Sequence, residues 1–145
     1  MKRQLTTHAA AAAMIRAELK KHGISAKVTS EAYSMGTSIR VHIKQDLMPA
    51  ARKEIESFAH RFQYGHFDGM TDSYEYNNRI DGLPQAKFVF VEVHYSDEIK
   101  ADARAYIETI RSIEPHEVDR YAHMALIGYW GDFWTARKPH VRLAA

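Results

Sequence analysis

Ser38-Ile39-Arg40-Val41-His42-Ile43-Lys44 is the stretch on which the fold turns. Apolar and polar residues alternate strictly, so in an extended chain Ile39, Val41 and Ile43 face one way and Arg40, His42 and Lys44 the other. A strand with one apolar and one polar face belongs to a sheet covered on one side only. Just upstream, Lys27 to Tyr33 reads as a second, weaker strand. Ser34-Met35-Gly36-Thr37 is a turn signal, with Gly36 free to take positive φ, so the two runs form a hairpin.

Helices flank this hairpin. Thr7 to His22 carries Ala11, Ile15 and Leu19 at helical spacing, with Ala12 beside them. Thr7 is placed to cap its start, and Gly23 to stop it. Pro49 to Gln63 carries Ala51, Ile55, Phe58, Ala59 and Phe62, a full apolar stripe, with Pro49 at the first position and Gly65 as the stop. These stripes predict that Ile39, Val41, Ile43, Ile55, Phe58 and Phe62 share one core. By area, Ile55, Phe58 and Phe62 contribute roughly 2 kcal/mol each.

Beyond an irregular stretch from Gly65 to Pro84, Lys87 to Tyr95 is a third strand. Val89, Val91, Val93 and Tyr95 line one face; Phe88, Phe90, Glu92 and His94 line the other. Apolar residues on both sides predict a central strand. Ser96 can cap a third helix striped by Ile99, Ala103, Tyr106, Ile107 and Ile110. Pro115 forces a break, and a fourth helix runs from about His116 to Ile127. Then come an aromatic knot, Tyr129-Trp130-Gly131-Asp132-Phe133-Trp134, and a basic tail of Arg137, Lys138, His140 and Arg142. Trp130 and Trp134, four apart, would share a helical face. The expected architecture is α+β, in the order α-β-β-α-(loop)-β-α-α. It has a small antiparallel or mixed sheet of three or four strands and helices packed mainly on one face. One domain over 1–145 is expected, with residues 85–145 packed on the rest, because only the turn Asp81-Gly82-Leu83-Pro84 separates them.

Composition narrows the class. The 145 residues include no cysteine, which excludes a disulfide scaffold, a Cys-ligated zinc finger and thiol catalysis. Apolar runs such as Ala9–Ile15 and Met124–Gly131 are far short of a membrane span, and the basic start is followed by no signal-peptide core. A soluble, cytoplasmic protein is expected. The net charge of +2 hides segments of +6 over 1–61, −7 over 62–119 and +3 over 120–145. Such asymmetry steers a charged partner to one face unless folding mixes the segments. The small net charge argues against a global DNA mimic.

Chemistry-bearing residues concentrate in Tyr64-Gly65-His66-Phe67-Asp68-Gly69-Met70-Thr71-Asp72-Ser73-Tyr74-Glu75-Tyr76-Asn77-Asn78. Three readings are open. In the structural one, Asp68-Gly69 makes a turn, Asp72 and Ser73 bond nearby amides, and Phe67, Tyr74 and Tyr76 pin the loop to the core. In the second, Phe67, Asp68, Asp72, Tyr74, Glu75, Tyr76 and Asn77 are a recognition surface, with Asn78 beside them. In the third, His66, Asp68, Asp72 and Glu75 offer a divalent ion one nitrogen and three carboxylates, although the spacing matches no EF-hand and no HExxH pattern. Tyr74 and Tyr76 alternate, so they point one way and Glu75 the other. Elsewhere, His42 and His94 lie near Arg40, Lys44 and Glu92 on a polar sheet face, either an anion site or a solvated face with an ion pair. His116 and His123 lack metal-ligand company. No nucleophile elbow and no phosphate loop is found.

The string Phe67-Asp68-Gly69-Met70-Thr71-Asp72-Ser73-Tyr74-Glu75-Tyr76 resembles the large polyvalent protein-associated domain family numbered twenty-nine, of phages, prophages and conjugative elements. Ile15–Lys20 and Tyr33–Val41 are similar to the rest of that domain, so the resemblance covers about residues 12–80. His22-Gly23-Ile24 stands where the family usually has a Phe-Pro-Gly-like turn. The resemblance implies a mobile-element setting and protection of incoming DNA or counter-defence, with no catalytic residue to carry over. The expected function is therefore a non-enzymatic accessory binding module without cofactor, using the Phe67–Asn78 loop. Its expected partner is a host or mobile-element protein, with nucleic acid reached through the basic segments. A metal-dependent enzyme acting on nucleic acid is the alternative. The acidic loop, with Asp68, Asp72, Glu75 and Asp81 against Arg79 alone, favours a basic partner surface.

Overall fold

The computed structural model describes residues 6–110 and 112–136. It is α+β: helix α1 (Thr7–Lys21), strands β1 (Ala26–Tyr33) and β2 (Gly36–Ile43), helix α2 (Pro49–His60), short strands β3 (His66–Asp68) and β4 (Ser73–Glu75), and strand β5 (Phe88–Val93). Then follow α3 (Asp97–Ile110), a 3₁₀ turn (Pro115–Glu117), α4 (Val118–Leu126) and the single turn α5 (Phe133–Ala136). Two compact units emerge, residues 1–43 with 55–92, and residues 44–54 with 93–145.

The first unit holds a three-stranded mixed sheet in the order β1-β2-β5. β1 and β2 are antiparallel, pairing Val28 with Val41 and Tyr33 with Gly36 across a two-residue turn. α1 packs on both strands. Its cap is Thr6 rather than Thr7: the Thr6 hydroxyl accepts from the Ala9 amide. At its other end the Ile24 amide donates to the Leu19 carbonyl and the Gly23 amide to that of Lys20, a Schellman closure that needs the φ of 71° at Gly23. Ala11, Ala12, Ile15 and Leu19 are buried, as are Val28, Ile39, Val41, Ile43 and Val89 on the sheet. Ile55 and Phe62 are buried too, and half-buried Phe58 meets the Phe62 ring edge-on at 5.4 Å.

Three expectations change here. β5 is an edge strand, not a central one; its second apolar face serves an aromatic cluster described below. α2 stops at His60, three residues early, because the amides of Arg61, Phe62 and Gln63 turn to carbonyls three residues back. The stretch expected to be irregular contains the β3–β4 hairpin.

The second unit is helical. Tyr95, Ile99, Ala103, Ile107, Ala122, Ala125, Leu126 and Phe133 form its core. Ser96 caps α3, its hydroxyl accepting from the Ile99 amide while Asp46 holds the Ser96 amide and hydroxyl. Trp130 and Trp134 do not share a helix, since Gly131 at φ 67° intervenes. Trp130 packs on Tyr121, and Trp134 donates its indole N–H to the Leu126 carbonyl. The basic tail, Arg137 to Arg142, lies outside the described residues. No helix among the described residues is long and apolar enough to cross a membrane.

Candidate functional site: an aromatic face with cations on a small sheet

The register of the β3–β4 hairpin separates its side chains. His66 pairs with Glu75, Phe67 with Tyr74, and Asp68 with Ser73. Directly opposite residues share a face, so Phe67 and Tyr74 lie on one side and His66, Glu75, Asp68 and Ser73 on the other. The loop's acidity therefore belongs mostly to the side away from the tyrosines.

The tip is built by its own side chains. Asp68 Oδ1 accepts from the Met70 amide at 2.9 Å, and the Thr71 and Ser73 hydroxyls bond at 2.7 Å. Asp72 takes φ 51°, the left-handed region that aspartate tolerates better than most residues. Gly65, buried at the base, is fixed by contact: a Cβ there would run into the Glu75 carbonyl and the Tyr74 ring. Asn78 is a strut, its side chain donating to the His60 and Gln63 carbonyls. Gln85 is another; its amide donates to the Arg61 and Asn78 carbonyls and accepts from the Ile80 amide. Gln63 donates to the Gly65 carbonyl and accepts from the Val89 amide.

On the aromatic side, Tyr74 is half-buried and its hydroxyl donates to the Lys87 carbonyl at 2.6 Å. Its ring meets Tyr64, Tyr76 and Phe88 edge-on, with centroids 5.9, 5.0 and 5.6 Å away. Tyr76 is 57% exposed and stacks on Tyr64. Phe88 stacks on Phe90, which reaches the polar face of the sheet. The two tyrosines of the motif thus divide the work that the sequence left open: Tyr74 anchors and Tyr76 is presented.

Cations are threaded through these rings. Arg79 lies over Tyr64 and Tyr76, Lys87 over Tyr74 and Phe88, and Arg40 over Phe90, at 4.8 to 5.7 Å from the centroids. Lys87 Nζ also donates to the Met35 carbonyl. Glu92 meets Arg40 at 3.4 Å and His42 at 3.2 Å, so the polar sheet face carries its ion pairs there. Burial pushes the Tyr74 phenol up to about 12, helped by Tyr64 and Tyr76 and opposed by a hydrogen bond from the Gly65 backbone and then by Arg79. Burial likewise raises Tyr64. The hydroxyls stay protonated donors at neutral pH.

The proposed metal donors do not converge. His66 Nε2 stands 3.7 Å from Glu75 Oε2, while Asp68 is turned to its own loop and Asp72 sits at the tip. Among the described residues, no three of these four bring ligating atoms within 4.8 Å of one another. Asn77 is exposed.

Tyr64, Arg79, Lys87, Phe88, Phe90 and Arg40 were not read from the sequence as one site. Phe88 and Phe90, alternating on the outward side of a strand, were the signal that could have found them.

A small α+β domain with one sheet face aliphatic and the other aromatic and cationic is thus the class that fold and site define. The model of the large polyvalent protein associated domain 29 matches residues 6–113, and the chain belongs to that family. The match takes in β5 and α3, beyond the stretch of about 12–80 that the motifs carried, and marks a domain of phage and mobile-element polyvalent proteins. No curated protein and no solved structure matches the chain.

Proposed function

We propose that this domain is a non-enzymatic binding module of a mobile-element protein, holding single-stranded nucleic acid on its aromatic face and covering incoming strands. One observation carries the reading: the exposed rings of Tyr76 and Phe90 lie among three cations, Arg79, Lys87 and the Glu92-paired Arg40, on a face from which Asp68 and Glu75 of the hairpin point away. Bases stack on aromatic rings for roughly 1–3 kcal/mol each, whatever their sequence. Tyr76 and Phe90 offer such rings, at 57% and 40% exposure. Arg79, Lys87 and Arg40 stand where phosphates between stacked bases would need neutralising. A protein partner would use the same tyrosines, but the cations interleaved with the rings favour a polyanion with planar bases.

The test is fluorescence anisotropy of a labelled thymidine oligomer of about 12 nucleotides. Binding should weaken with salt, with a log–log slope of about −2 for three phosphates, and a duplex of equal length should bind more weakly. No single-strand binding at low salt, or equal affinity for duplex, would overturn the reading and leave a protein partner for this face.

A further inference from the structure

A cavity of about 350 Å³ lies in the second unit, where α3 and α4 pack together beside the segment that follows β5. Its floor is apolar: Val93, Tyr95, Ala122 and Leu126. Its polar lining is Lys100 and Arg104, one turn apart on α3, with His94, Asp119 and His123. Among the described residues Asp119 is the one carboxylate in that lining, and Arg104 already pairs with it. Lys100 is thus left as a cation without a carboxylate in the cavity wall. Asp119 and His123 stand four apart on α4, on one side of the helix.

We propose that this cavity binds a small phosphate monoester, the phosphate between Lys100 and His123 and the organic body on the floor. The electrostatics agree with the geometry. His123 lies below the ordinary histidine range, first through burial and then through Arg52 and Lys100, and among the described residues no acidic group counters them. The charged and titratable groups around it are Lys100 and Arg104 from α3, Arg52 from α2, Asp119 on its own helix and His94 from the strand exit. A dianion placed there relieves the repulsion that His123 feels. It draws the imidazole into the protonated, donating state. The floor adds what inorganic phosphate cannot use, because an apolar body leaves water against Leu126 and Tyr95. The site is independent of the aromatic face and does not rest on its ligand.

The experiment is an NMR pH titration of the His123 ring protons in the full chain, alone, with inorganic phosphate, and with phenyl phosphate. Both ligands should shift the His123 midpoint upward. Phenyl phosphate should bind about tenfold more tightly than phosphate, and Lys100→Ala should abolish the upward shift while the fold persists. A midpoint unmoved by either ligand would overturn the proposal. Equal affinity for the two would overturn the role of the floor. A shift that survives in Lys100→Ala would overturn the assignment of the phosphate.

Discussion

The two faces of one sheet follow different rules in this molecule. Toward α1 the strands present Val28, Ile39, Val41, Ile43 and Val89, all buried. On the other face the same strands present Arg40, His42, Phe88, Phe90 and Glu92, half-buried or exposed. The first face is stabilised by removing hydrocarbon from water. The second is held by ring edges, cations and hydrogen bonds to backbone carbonyls, and much of it stays wet. Substitutions on the first face should therefore act on stability alone, and those at the rim of the second chiefly on binding.

The largest effect is expected on the aliphatic face. Ile39→Ala should cost about 2–5 kcal/mol in urea unfolding, and half-buried Phe58→Ala about 3 kcal/mol. Neither should change affinity per folded molecule. An unchanged midpoint for Ile39→Ala would mean that this face is not the core.

The hairpin tip should respond less. Asp72→Val places a β-branched residue at positive φ and should cost about 1–2 kcal/mol, whereas Asp72→Gly should be neutral or stabilising. Equal losses for both would show that the carboxylate matters and not the backbone angle. A loss set by the backbone angle would assign Asp72 to the turn, and a loss set by the carboxylate would leave it in the contact surface.

Tyr74→Phe should cost about 1 kcal/mol, the worth of its bond to the Lys87 carbonyl. It also carries a pH signature. The folded phenol titrates near 12 against 10 in the unfolded chain. Above pH 10 the unfolded state holds fewer protons than the folded one, so stability falls as pH rises from 10 toward 12. Below pH 10 the contribution is fully present. Tyr74→Phe should flatten much of that alkaline loss, leaving the part due to Tyr64. A loss of equal steepness in the variant would separate Tyr74 from it.

The aliphatic face was legible in the sequence because burial alone writes a period of two at Ile39, Val41 and Ile43, and a helical stripe at Ala11, Ile15 and Leu19. The aromatic face was legible only in its pieces. Tyr74 and Tyr76 were read as pointing one way, which the ring contacts bear out, but the partners that divide them, Tyr64, Phe88 and Lys87, come from three segments. The acidity of the loop, read as favouring a basic partner surface, lies mostly on the side of the hairpin away from the tyrosines, for a local reason. Charge summed along a chain ignores the pleat, and the β3–β4 register turns Asp68 and Glu75 away from the tyrosines. Likewise the two apolar faces of Lys87 to Tyr95 suggested a central strand, when one face was needed for rings on an edge strand. Gln85 and Asn78 carry backbone struts that no periodicity announces.

The smallest stability effect and the largest binding effect should fall on one side chain. Tyr76 is exposed, and beyond its ring contacts with Tyr64, Tyr74 and Arg79 it holds no hydrogen bond among those described. The most direct measurement is therefore Tyr76→Ala, melted and titrated with the labelled oligonucleotide side by side. The account predicts a stability loss of about 1 kcal/mol or less, the worth of its ring contacts at the surface. It predicts a loss of affinity worth about 1–3 kcal/mol, roughly 5- to 150-fold. A variant that melts like the parent and binds the oligonucleotide equally well would contradict it.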